Sequence, residues 1–144
     1  MIFKFMIVPL LLPPVIEDIR TREIRNIYWI IIVISKSIFL LAKRDSDELI
    51  SSLLGLAVSL LIFIVSYLIL HDGIGLGDVK LLTAVAFFLG LELFLRALLF
   101  ISVISLLFST FLLAAKKVTK KTALPFAPFI MAGTLVSTLI EVIR

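Results

Sequence analysis

The sequence predicts an all-α membrane protein that crosses the bilayer several times. Of its 144 residues, 62% are hydrophobic and the mean hydropathy is +1.25, whereas soluble domains contain about 45–50% apolar residues. The charged residues are bunched between long apolar runs instead of being spread along the chain. Because the spans take up most of this length, we expect one integral-membrane domain over residues 1–144, without a soluble catalytic domain.

Six apolar segments are predicted transmembrane helices. The first lacks the small-residue cleavage site of a signal peptide, so we expect it to be retained. The run from residue 81 to residue 115 is too long for one span, and we divide it near residues 90–93, where Gly90 interrupts it. The predicted spans are Met1–Ile16, Ile27–Ala42, Leu49–Leu70, a short helix from Leu81, a full helix ending at Ala115, and Leu124–Ile143.

Charged side chains also occur inside these spans. Lys36 lies within the second span, and we expect it to snorkel to the interface or to have a partner on another helix. Glu92 and Arg96 are four residues apart, a spacing that favours an ion pair on one helix.

The distribution of Lys and Arg predicts the orientation of the chain. Six spans place the loops at residues 18–26, 71–80 and 116–121 on one face, and the basic residues of that face are Arg20, Arg22, Arg25, Lys80, Lys116, Lys117, Lys120 and Lys121. The opposite face has fewer basic residues, and acids lie near them. The positive-inside rule therefore predicts that these loops are cytoplasmic, that both termini lie outside, and that the protein is a multi-pass protein of the cell membrane.

A glycine-rich stretch, Gly73-Ile-Gly75-Leu-Gly77-Asp78-Val-Lys80, separates the third and fourth spans. Its glycines allow close backbone approach, and they bring Asp78 to the start of the next span. A phosphate-binding Gly-x-Gly loop would require a preceding strand, which these apolar flanks do not suggest. Two readings stay open: Asp78 caps the next helix, or it is a reactive carboxylate at the membrane boundary.

Asp18 is the second acid that needs an explanation. It ends the first predicted helix, where the helix dipole disfavours an anion and where a capping role is unavailable unless a new helix starts at once. Pairing with Arg20 or Arg22 is the structural alternative. Because the predicted topology puts Asp18 and Asp78 on the same face, they also suggest a shared site for general acid–base hydrolysis.

The composition excludes several other chemistries. The chain has no cysteine and one histidine, His71, which excludes a thiolate nucleophile and a Cys-ligated zinc site and makes a Ser-His-Asp triad hard to build. We expect no metal and no cofactor. In a membrane protein the net charge of +4 indicates the orientation of the chain and not a nucleic-acid partner, so we expect no nucleic-acid partner.

Three segments resemble the type IV prepilin peptidase family, the membrane aspartyl proteases of the Gly-x-Gly-Asp type. Residues 73–82 are similar to its glycine motif with Asp78. Residues 18–26 resemble its first-aspartate motif, Asp-x-Arg-x-x-x-Ile-Pro-Asn, with Arg25 in place of proline, so we expect a less rigid loop. Residues 124–130 resemble the segment that opens its last helix.

The resemblance implies an aspartic-type endopeptidase that removes the basic leader from type IV prepilins or pilin-like precursors. It implies that Asp18 and Asp78 are catalytic and that Gly73, Gly75 and Gly77 shape the loop. Some relatives also methylate the new terminus, using an N-terminal region with a Cys-rich zinc site. Because this chain begins at the peptidase part and has no cysteine, we expect the minimal form without that activity. Bacterial prepilins and archaeal preflagellins both remain open as substrates.

Basic leaders must approach a basic face, so nearby acids are expected to compensate the repulsion. The candidate substrate-binding residues are Glu17, Glu23, Asp72 and Lys80. The competing hypothesis is a small membrane transporter or assembly factor in which Asp18 and Asp78 bind a cation.

Overall fold

The computed structural model describes residues 2–70, 75–115 and 124–143. Within these ranges the chain is helical and contains no strand, which confirms the predicted all-α class. The helices are α1 (Ile2–Phe5), α2 (Ile7–Thr21), α3 (Asn26–Lys43), α4 (Ser46–Leu70), α5 (Leu76–Leu89), α6 (Leu91–Ala114) and α7 (Ala127–Ile143).

These helices form six segments in the described ranges, because only Met6 separates α1 from α2. Three of them, α3, α4 and α6, are long and apolar enough to cross a membrane, and α7 is a shorter apolar helix. Apolar side chains such as Leu61 and Leu106 are exposed on α4 and α6, as expected for surfaces that face lipid. The chain is therefore a helical membrane protein, and the orientation of its termini stays a prediction.

Helix α5 lies at the centre of the bundle. From Leu81 to Leu89 every residue except Thr83 is buried, and the helix packs against α3, α4 and α6. A helix that is hydrophobic all round is typical of such a central position. This helix therefore fixes Asp78, near its start, relative to the surrounding helices.

Gly90 divides α5 from α6, as the sequence predicted for residues 90–93. Its φ of +80° lies in a region that favours glycine, and an added Cβ would lie 2.5 Å from the Ser51 hydroxyl oxygen. The same hydroxyl accepts a hydrogen bond from the Leu91 N–H at 3.2 Å. The break therefore needs glycine, and it ends α5 after only 14 residues.

Several predicted boundaries differ from the structure, and two of them lie in the segments that carry Asp18 and Asp78. Helix α2 continues past Ile16 to Thr21, so Asp18 belongs to a helix and not to the predicted polar loop. Helix α5 begins at Leu76, so Asp78 lies in its first turn. Both acids are therefore carried on regular backbone, which restricts where their side chains can point.

Ion pairs join the helices at the end of the bundle opposite Asp18 and Asp78. Lys36 is fully buried, and its Nζ lies 2.5 Å from the Glu48 carboxylate on α4, so the interhelical partner expected for Lys36 is confirmed. Arg96 forms the predicted pair with Glu92 and also pairs with Glu141 of α7 at 2.6 Å. These contacts tie α3 to α4 and α6 to α7.

Candidate active site

The two candidate acids face one cavity, although 60 positions separate them in the sequence. This cavity, of about 300 Å³, is lined by Asp18, Arg22, Glu23, Ile24, Gly75, Gly77 and Asp78. Asp18 comes from the last turns of α2 and Asp78 from the first turn of α5. The structure thus brings the two sequence motifs together at one end of the helical bundle.

Two glycines make room for the Asp78 side chain and for the neighbouring loop. A Cβ added to Gly75 would lie 2.9 Å from the Asp78 Oδ2, and one added to Gly77 would lie 3.3 Å from the Ile24 Cβ. The loop after α2 therefore packs directly on the start of α5. Gly73, the third predicted loop-shaping residue, lies outside the described residues.

Asp78 does not cap α5, so that alternative reading is wrong. The N-cap position is Gly75, and Asp78 is the third residue of the helix. Burial, and secondly the negative charge of Asp18, raise the pKa of the Asp78 carboxyl to about 6. Asp78 precedes the apolar run that starts at Leu81, so this pKa belongs to a group at the membrane boundary and not inside a span. A carboxyl with such a pKa can hold a proton in mildly acidic solution and donate it.

Asp18 is almost completely buried, with 4% of its surface exposed. Arg22 follows in the left-handed conformation, at φ 57°, and its N–H bonds the Asp18 carbonyl oxygen at 2.9 Å. This αL cap ends α2 and turns the chain across the cavity. Among the described residues Asp18 forms no ion pair with Arg20 or Arg22, so the structural alternative of a surface pair is not realised.

Asp18 instead contacts the start of α7. Its Oδ2 accepts a hydrogen bond of 2.8 Å from the backbone N–H of Ala127, the first residue of that helix. The expectation that a capping role is unavailable to Asp18 was therefore wrong, because the helix it caps begins 109 residues later. The N-terminal end of α7 favours an anion, which offsets the unfavourable end of α2.

Sequence reasoning missed Ala127 because its contribution is a backbone N–H, which almost every residue carries. The available signal was the local pattern Pro125-Phe-Ala-Pro128. Proline is favoured in the first turn of a helix, so this pattern marks a helix N-terminus with free N–H groups.

The four candidate substrate-binding residues occupy different surroundings. Glu23 lines the cavity with Asp18 and Asp78. Lys80 turns away from it and donates a hydrogen bond of 3.0 Å to the Asn26 side chain. Glu17 faces a separate cavity between α2 and α3, and Asp72 lies outside the described residues.

Arg25, which replaces the usual proline, anchors its loop by polar contacts. Its Nε lies 2.6 Å from the Glu17 carboxylate, and its Nη2 donates a hydrogen bond of 3.0 Å to the Tyr28 hydroxyl. These contacts tie the loop to α2 and α3, so the loss of proline is partly compensated. They also pair Glu17 with a positive charge, and among the described candidates Glu23 is the acid that lines the cavity of the two aspartates.

The chain has relatives among known proteins. The sequence model of the type IV leader peptidase family matches residues 5–115. The prepilin leader peptidase/N-methyltransferase of Bacillus subtilis (strain 168) is similar at 35% identity over 104 residues, which cover 70% of this chain and 42% of the relative. The chain thus spans less than half the length of that protein. No solved structure matches the chain.

Proposed function

The chain belongs to the type IV leader peptidase family, and on that premise we propose that it is a membrane-embedded aspartic endopeptidase with Asp18 and Asp78 as its catalytic pair. The observation that carries this proposal is the shared cavity of about 300 Å³, which both carboxyl groups line. Two neighbouring carboxyl groups do not ionise together easily, so one stays protonated while the other accepts a proton. That is the state required to activate a water molecule against a peptide bond.

The proposed reaction is hydrolysis without a covalent intermediate. The ionised carboxylate takes a proton from water while the water oxygen bonds to the carbonyl carbon. The protonated partner donates its proton to the carbonyl oxygen, and the carbon–nitrogen bond then breaks as the amine nitrogen is protonated. The raised pKa of Asp78 supports the presence of one protonated partner near the pH at which such a pair works.

The proposed substrates are type IV prepilins or pilin-like precursors, including archaeal preflagellins, from which a basic leader is removed. Glu23 supports a basic substrate because its carboxylate lines the cavity of the two aspartates. The Bacillus relative carries peptidase and N-methyltransferase in its name, but our proposal is limited to the peptidase activity.

The proposed location of the reaction is the cytoplasmic boundary of the cell membrane. Arg20, Arg22, Arg25 and Lys80 lie at the same end of the bundle as the cavity. An excess of Lys and Arg is typical of cytoplasmic loops. The proposal therefore places both chain termini on the outer side.

Cleavage of a defined precursor tests the proposal. The purified protein in detergent is mixed with a precursor that has a Lys-rich leader followed by an apolar helix, in the presence of a metal chelator and without nucleotide. We expect cleavage before the apolar helix by the wild type and by Glu92→Gln, which removes an acid at the opposite end. A protein that binds cations through its aspartates but never cuts the precursor would support the transporter hypothesis instead.

A further inference from the structure

The N-terminus of α7 forms part of the candidate active site, although the family match ends at residue 115, before this helix begins. The Phe126 carbonyl oxygen accepts hydrogen bonds of 3.0 and 3.2 Å from the N–H groups of Phe129 and Ile130, so Ala127 is the first helical residue. The N–H of a first helical residue has no acceptor within its own helix. The Ala127 N–H instead donates a hydrogen bond to the Asp18 carboxylate, and both residues are buried.

This contact makes the two aspartates unequal. Asp18 receives a backbone hydrogen bond and faces the positive end of a helix, and both favour a carboxylate over a neutral acid. Asp78 is half-buried at the start of α5, where the neighbouring negative charge of Asp18 disfavours a second anion. The hydrogen bond and the end of α7 therefore stabilise a carboxylate at Asp18, whereas the surroundings of Asp78 favour its protonated form.

We propose that the Ala127 N–H holds Asp18 as the carboxylate that takes the proton from water, and that Asp78 is the acid that donates to the carbonyl oxygen. The proposal rests on the function proposed above, and it adds the roles of the two acids and a positioning group on α7. The proton on Asp18 then passes to the amine nitrogen as the carbon–nitrogen bond breaks. The proton of the added hydroxyl group returns to Asp78 as the new carboxyl group forms.

The other charged groups around Asp18 do not reverse this assignment. On α5, Asp78 is the charged residue that faces the cavity, and Lys80 donates to Asn26 of α3. Arg22 and Glu23 of the loop line the cavity with opposite charges, and Glu17 of α2 is paired with Arg25. The acid of α7, Glu141, pairs with Arg96 at the other end of the helix.

Ala127→Pro removes the N–H, and because the proline Cδ takes the place of the amide hydrogen, the Asp18 carboxylate must also turn away from α7. Proline is well tolerated at the first helical position because its fixed φ suits the helix and its missing N–H has no helical acceptor. Without the hydrogen bond the Asp18 carboxylate loses a donor that stabilises its charge. A hydrogen bond to a charged group is worth about tenfold or more in an equilibrium constant, so the acidic limb of kcat/KM should move to higher pH by about one unit.

The shape of the pH profile separates this role from a structural one. Ala127→Ser retains the N–H, so its acidic limb should stay at the wild-type position whatever its rate. A merely structural role of Ala127 would lower the rate of Ala127→Pro equally at every pH, and that result would overturn the inference. Loss of cleavage by the wild type, or cleavage by Asp18→Asn, would instead contradict the proposed peptidase function.

An infrared measurement tests the assignment without Ala127→Pro and without turnover. At about pH 5 the C=O stretch of the protonated, half-buried Asp78 carboxyl group should be present in the wild-type protein. We expect this band to be lost in Asp78→Asn and kept in Asp18→Asn. A band that is lost in Asp18→Asn and kept in Asp78→Asn would show that the two roles are reversed.

Discussion

Substitution of Gly75 by alanine should displace the Asp78 carboxylate without unfolding the protein. The added Cβ would lie 2.9 Å from Oδ2, whereas ordinary contacts begin at 3.4 Å, so the oxygen must move by the difference, about 0.5 Å. The obstacle is the end of a side chain, which can turn aside. The backbone of Gly75, at φ −62°, is compatible with alanine.

The expected cost falls on catalysis. A misplacement of about 1 Å in a catalytic arrangement costs about a hundredfold in rate, so about 0.5 Å corresponds to a loss of about tenfold in kcat/KM, or about 1.4 kcal/mol. The free energy of unfolding should fall by no more than about 1 kcal/mol, because glycine is preferred to alanine at an N-cap but alanine restricts the unfolded chain more than glycine does. Cleavage kinetics in detergent and thermal unfolding of the same preparation measure both quantities.

Gly55→Ala provides the matched control. Its added Cβ would lie 2.6 Å from the backbone oxygen of Ala86, towards the other end of α5. Because backbone cannot turn aside, this variant should lose stability. Wild-type kcat/KM in Gly75→Ala would refute the reasoning, since the active carboxylate would then not lie over Gly75. A loss of stability equal to that of Gly55→Ala would show that Gly75 serves folding instead.

Three further predictions follow from the same site. The kcat/KM of the wild type should fall as the pH rises through about 6, because the pKa of Asp78 is raised to about that value and its proton is lost above it. The pKa read from this profile belongs to the pair of aspartates, and activity that keeps rising to alkaline pH would contradict the prediction. Glu23→Gln should raise KM for a Lys-rich leader at low salt more than Glu17→Gln does, since only Glu23 lines the cavity; equal effects would remove the distinction. Tags at both termini should be labelled from outside the cell and a tag at residues 116–121 from the cytoplasm, and a cytoplasmic C-terminus would contradict the orientation.

The helical architecture could be predicted because a bilayer imposes strong constraints on sequence. Long apolar runs gave the number of helical segments, and Gly90 marked the division between α5 and α6. Helix ends were less predictable. The charged residues after Ile16 suggested a loop, yet α2 continues to Thr21, since polar residues at a membrane surface can remain helical when a following αL residue ends the helix.

The partners of the predicted residues were harder to predict. Gly-x-Gly-Asp and the first-aspartate motif identified Asp18 and Asp78, and the common face followed from the alternation of spans. Nothing in the side chain of Ala127 indicates that its backbone contacts Asp18, because that contact depends on how α7 packs against α2. The pairing of Arg25 with Glu17 likewise depends on the turn after α2, so Glu17 could not be distinguished from Glu23 by sequence.

The central claim, that Asp18 and Asp78 act as one catalytic pair, is tested most directly by replacing each with asparagine. Both substitutions preserve side-chain size and remove the ionisable group, so each single variant should insert normally and lose cleavage of the Lys-rich precursor. Since residues that act as a unit are not additive, the double variant should be scarcely worse than either single one. Precursor cleavage that survives in well-folded Asp18→Asn or Asp78→Asn protein would contradict the account.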